Sequence, residues 1–133
     1  MIDPAWEKEL MWAAGFWDGE GSCYLSKKRR YVNLSVAQRQ PEVLHRFRDA
    51  FNLGEVKENR LRGKPLYRWT ITKFADVSYV RDLLISRVSP VKRLQFERVF
   101  AAAKQDVSMH GSVEHFQKVI ASRRANRGVE FTA

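Results

Sequence analysis

Two stretches of alternating side chains, each folded back at a basic turn and each preceded by a helical stretch, constrain this chain more than any other feature. From Tyr31 to Gln40, Val32, Leu34 and Val36 fall on one side and Tyr31, Asn33, Ser35, Ala37 and Arg39 on the other, the period-two signature of a half-buried strand. Residues 22–28 repeat it, with Cys23 and Leu25 inward and Tyr24, Ser26 and Lys28 outward, which predicts a hairpin around Lys28-Arg29-Arg30. A second hairpin is expected from strands at about 55–61 and 66–72 flanking Arg62-Gly63-Lys64-Pro65. There Trp69 and Ile71 alternate with Arg68, Thr70 and Thr72, while Lys57 and Asn59 share a polar face.

Helices fill the intervals. Asp3-Pro4 supplies an N-cap and a first-turn proline, Leu10, Ala13, Ala14 and Trp17 follow at helical spacing, and Gly19 and Gly21 are expected to stop this helix near Asp18. Pro41 opens a second helix to about residue 52 on Val43, Leu44, Phe47 and Phe51, closed by Asn52-Leu53-Gly54. Val77, Val80, Leu83 and Leu84 mark a third, and Pro90 starts a fourth through Leu94, Phe96, Val99, Phe100 and Ala103. A last helix is expected from Ser112 to about Arg124, with Arg123, Arg124 and Arg127 forming a basic end to the tail at 112–133. The fold class is therefore α+β, with a four-stranded antiparallel sheet carrying helices on one face, and residues 1–133 are expected to form one domain.

Such a sheet leaves its other face bare. That face offers Tyr24, Ser26, Lys28, Asn33, Ser35, Arg39, Lys57, Asn59, Arg68 and Thr70, with Arg30, Arg62 and Lys64 at the turns and no Asp or Glu among them. Lys and Arg suit phosphate and guanine, while Asn, Ser and Thr can read base edges. The net charge of +9 agrees with a polyanionic partner. Cys23, the single cysteine, excludes an intramolecular disulfide and a cysteine-rich zinc site, and reads as a small buried hydrophobe. With acidic residues at the start and no bilayer-length apolar run, the chain is expected to be soluble and intracellular, in cytoplasm, nucleoid or organelle. No glycine-rich phosphate loop or nucleophile elbow supports nucleotide hydrolysis or acyl transfer.

The segment Ala13-Ala14-Gly15-Phe16-Trp17-Asp18-Gly19-Glu20-Gly21 carries the chemistry. Gly15 and Gly19 lie four apart and, with Ala14, form a stripe on which a second helix can pack closely. Glu20 follows just beyond the helix end, so a two-fold axis through that stripe brings it near its symmetry mate, where divalent cations relieve the repulsion. Hard oxygen ligands of this kind suit Mg²⁺. This segment, extended to Ser22, resembles the signature of the LAGLIDADG homing endonucleases, and the αββαββα order resembles their core fold over nearly the whole chain.

The resemblance implies a homodimeric, metal-dependent DNA endonuclease that holds a long pseudo-palindromic target on its sheets and cuts both strands across the minor groove. It implies Glu20 as direct metal ligand, the Gly19 carbonyl as a further one, and Asp18 at the helix interface with Ala14, Gly15 and Gly19. Its less constant catalytic positions fall on Gln40 or Gln38 at the end of the second strand and on Lys92 after Pro90, with Arg46 and Arg93 as weaker alternatives to Lys92. Ala13 and Trp17 depart from the signature's usual aliphatic residues without touching the metal ligands. Non-cutting relatives, intron maturases acting on RNA and DNA-binding regulators, mark the alternative reading.

Overall fold

A computed structural model describes residues 2–28 and 31–104. Arg30 and the expected helix and basic tail at 112–133 lie outside those residues. The order is α1 (Pro4–Glu20), β1 (Ser22–Leu25), β2 (Val32–Gln38), α2 (Pro41–Phe51), β3 (Glu55–Leu61), β4 (Lys64–Ile71), α3 (Phe74–Leu84) and α4 (Pro90–Lys104). The strands make one antiparallel sheet in the order β1-β2-β4-β3, and the αββαββα expectation holds.

Local chemistry accounts for the ends of α1 and α2. Asp3 Oδ1 accepts hydrogen bonds from the N–H groups of Ala5 (2.7 Å) and Trp6 (3.3 Å), capping α1 ahead of Pro4. Asn52 ends α2 in the left-handed region at φ 56°, and Gly54 follows at φ 88° beneath the Trp69 indole, where a side chain would collide.

The helices cover the face that carries Cys23, Val32, Leu34, Val36, Trp69 and Ile71, all buried. Trp17 sits at the centre of this core, stacked on Phe47 (6.1 Å between centroids) and on Phe96 of α4 (5.7 Å). Trp6 donates its Nε1–H to the Ala50 carbonyl at 2.7 Å, joining α1 to α2.

Several boundaries move. The first helix runs on through Gly19 to Glu20, because Gly21 takes an extended conformation (φ −75°) and needs no left-handed turn to end it. β1 stops at Leu25, short of the expected Lys28, and β2 spans less than residues 31–40. The second hairpin closes on two residues, Arg62 (φ 55°) and Gly63 (φ 78°), in place of the expected four-residue connection. The twist of a two-residue turn with both φ positive matches that of the strands. Pro65 can join β4 because β2 ends opposite Tyr67, so no ladder bond is asked of its missing N–H on that side. Beyond that point the hairpin overhangs the helices, and residues Lys57–Pro65 are exposed. Leu94, expected in the core of α4, is exposed as well.

The α3–α4 connection is pinned to α1 by Arg87, whose guanidinium makes two bonds to the Glu7 carboxylate (2.6 and 2.8 Å) and one to the Leu83 carbonyl. Hydrogen bonding from Arg87 holds the Glu7 carboxyl below its ordinary range, against a smaller opposing effect of burial. A depressed carboxylate stabilises the fold above its unfolded pKa, and this contribution is lost as pH falls through the folded value. Urea midpoints of wild type and Glu7→Gln are therefore expected to differ by a constant amount at neutral pH and to converge below about pH 4. Because Glu7 is partly exposed, that difference corresponds to about 1 kcal/mol or less.

Candidate metal and nucleic-acid site

The residues exposed along the second half of α1 are Met11, Gly15, Gly19 and Glu20. Met11, Gly15 and Gly19 repeat every fourth position and so line one face. A Cβ added to Gly15 or Gly19 would meet nothing within 4 Å, so this face is open in the protomer. Ala14 does not belong to it. It is 1% exposed and packs inward with Ala13 and Trp17, and Met11 takes its place on the open stripe. Counting four residues back from Gly15 identifies Met11 in the sequence.

Glu20 is the last residue of α1, within the helix where it was expected beyond the end, and is exposed. The Trp17 carbonyl accepts the Gly21 N–H at 2.8 Å, while the carbonyls after it in the final turn have no intrahelical donor and point the same way as the chain leaves the helix. Among the described residues no group of three His, Cys, Asp or Glu side chains comes together. One protomer thus supplies a single carboxylate with backbone carbonyls, a donor set of the right hardness for Mg²⁺ that a second copy would double.

Asp18 has an assigned partner inside its own chain. Its Oδ1 accepts the N–H of Ser89 at 2.8 Å, where the expectation had it facing the helix of a second copy. Lys92 stands beside the same helix end, its Nζ donating to the Gly21 carbonyl at 2.6 Å. Arg93 instead turns to the carbonyls of Ile85 and Val88, and Arg46 pairs with Glu9 and lies over Trp12 at 3.9 Å, so neither joins this cluster. Burial pushes the Cys23 thiol up to about 12, with the Lys92 charge opposing, which leaves a neutral, unreactive side chain.

Gln38 and Gln40 occupy different settings. The chain enters the sheet at Ser22 opposite Ser35, and Gln38 ends β2 half-buried on the parity of Val32, Leu34 and Val36, the side that carries α1. Gln40 is exposed at the start of α2 and makes no capping bond. The register therefore places Gln38 more directly beside the chain leaving α1.

Position 21 requires glycine for lack of space, since its extended backbone would accept any residue. A Cβ there would overlap the Trp17 ring, which is trapped between Phe47 and Phe96. Gly21→Ala should cost about 1–3 kcal/mol, read as a lower urea midpoint at unchanged m.

The sheet's open face carries Tyr24, Asn33, Lys57, Asn59, Lys64, Arg68 and Thr70, as the alternation requires. Three details depart from the expectation. Ser35 is 3% exposed, closed in between its neighbours Ser22 and Thr70, and is not available at the surface. Glu55 pairs with Thr70 and so joins this face, where it lies 3.4 Å from Lys57 and tempers the charge. Arg39 donates to the Pro65 carbonyl at 2.9 Å, bracing the overhanging hairpin against the end of β2. Ser26 and Lys28 lie in the connection after β1, and Arg62 at the hairpin tip.

No family profile matches the chain, and no curated protein matches it. Solved structures do. The homing endonuclease I-CvuI, determined in complex with its target in the presence of calcium, is 18% identical, with a TM-score of 0.64 over 92% of this chain and 84% of that one. The homing endonuclease I-TnaI is 17% identical, with a TM-score of 0.58 over 86% of this chain and 97% of that one. The LAGLIDADG meganuclease I-AabMI, bound to uncleaved DNA, is 23% identical with a TM-score of 0.56; the match covers 84% of this chain but 41% of that one. The chain has the fold of the LAGLIDADG homing endonucleases.

Proposed function

We propose that this chain belongs to the LAGLIDADG family and is a homodimeric, Mg²⁺-dependent DNA endonuclease of the homing type, making double-strand breaks in a long pseudo-palindromic target. The observation that carries the reading is the juxtaposition at the end of α1: an exposed Glu20, an open stripe of Met11, Gly15 and Gly19, and Lys92 held on Gly21. The stripe lets two copies meet, which brings the two Glu20 side chains to one axis. Glu20 and the Gly19 carbonyl would hold the divalent ion, which when bound supplies Lewis-acid stabilisation and an activated water for phosphodiester hydrolysis. Lys92 places a positive charge beside that point, where it can stabilise the scissile phosphate. Gln38, with Gln40 beyond it, orients water from the sheet side. Tyr24, Lys28, Asn33, Lys57, Asn59, Arg62, Lys64, Arg68 and Thr70 face the duplex and set register and base preference.

The test is incubation with a DNA library containing the native insertion site, with Mg²⁺ and separately with Ca²⁺. Double-strand cleavage in Mg²⁺ and binding alone in Ca²⁺ support the reading. Binding of intron RNA without DNA cleavage in either metal would replace it with the maturase alternative, and a persistent monomer on DNA would remove the shared site.

A further inference from the structure

We infer that Asp18 is a positioning residue that sets where α4 begins and thereby where Lys92 stands, acting within its own chain and not as a metal ligand; this rests on the endonuclease reading above. Two bonds join the end of α1 to the first turn of α4: Asp18 Oδ1 accepts from Ser89 N (2.8 Å), and Lys92 Nζ donates to Gly21 O (2.6 Å). They form a ladder of equal rungs, since Asp18 and Gly21 are three residues apart, as are Ser89 and Lys92. Ser89 is the hinge of this arrangement. Its carbonyl accepts the N–H of Arg93 at 2.9 Å, the first helical bond of α4, while its N–H would otherwise be an unpaired donor ahead of Pro90. Asp18 satisfies that donor and puts negative charge at the N-terminal end of α4. The stacked rings of Trp17 and Phe96 fix the spacing of the two helices behind the ladder. With the helix start fixed, the flexible lysine stem needs only one bond, to the Gly21 carbonyl, to hold its ammonium at the end of α1. A side chain that acts only through another can matter because misplacing a charged group by about 1 Å can cost a hundredfold in rate.

The experiment compares Asp18→Asn, which keeps an oxygen acceptor, with Asp18→Ala, each alone and combined with Lys92→Met. Single-turnover cleavage in Mg²⁺, DNA binding in Ca²⁺, sedimentation and hydrogen exchange of the Ser89 amide are read for each. The expected result is a loss on the order of tenfold in cleavage rate for Asp18→Ala, with binding and dimerisation retained, a much smaller loss for Asp18→Asn, and no further loss when Asp18→Ala is added to Lys92→Met. The Ser89 amide should be protected in wild type and exchange on the order of tenfold faster in Asp18→Ala. Equal losses for Asn and Ala, multiplicative losses with Lys92→Met, dissociation of the Asp18→Ala dimer, or an unprotected Ser89 amide in wild type would each overturn the inference. If wild type cuts no DNA, the endonuclease reading fails, and Ser89 exchange alone then decides the anchoring.

Discussion

Glu20→Gln is expected to lower Mg²⁺-dependent cleavage on the order of a thousandfold or more while leaving DNA binding in Ca²⁺ intact. The substitution keeps the shape of the side chain and removes its charge, and in a symmetric dimer it does so on both sides of the axis at once. Because Glu20 is exposed at the last position of α1 and makes no described bond within the chain, the fold should be indifferent to the change. A melting temperature within about 2 °C of wild type, alongside lost cleavage, is the result to look for. Substantial activity in Glu20→Gln would mean that the metal is held elsewhere.

Gly15→Leu should act in the opposite sense on the protomer and on the assembly. Nothing lies within 4 Å of a Cβ at position 15, so the protomer accepts the side chain and gains helix propensity of about 0.8 kcal/mol. The same side chain fills the open stripe along which two helices would meet. Sedimentation should show a folded monomer with cleavage abolished. Ala14→Leu supplies the contrast: Ala14 is buried in the core, and overpacking there should destabilise the protomer by about 1–3 kcal/mol. If Gly15→Leu remains a dimer that cuts DNA, the shared face is not on α1.

The difference between those two neighbours shows where sequence reading reached its limit. Period-two alternation and helical spacing were enough to place every strand and helix among the described residues, because each pattern directs a run of side chains toward one core. The same spacing put Ala14 in the core and in the stripe at once, and only the orientation of α1 on the sheet decides between them. Glu20 and Lys92 were singled out by the resemblance to the family's signature, and the fold sets both at one end of α1. The bond from Asp18 to Ser89 was not, since the two lie 71 residues apart and meet only once the α3–α4 connection has crossed α1. Alternation already sets Glu55, two residues before Lys57, on the basic face, where it was passed over, whereas the burial of Ser35 follows only from its cross-strand neighbours Ser22 and Thr70.

The overhang of β3 and β4 separates two tasks that most small domains must share. Its side chains from Lys57 to Pro65 contribute little to the core, so substitutions there cost folding only about 0.5 kcal/mol or less, while Arg39 keeps the hairpin aimed. If the chain is the endonuclease proposed above, what this arm touches can therefore change one residue at a time, at near-constant stability, with the Trp17 core and the end of α1 left as they are.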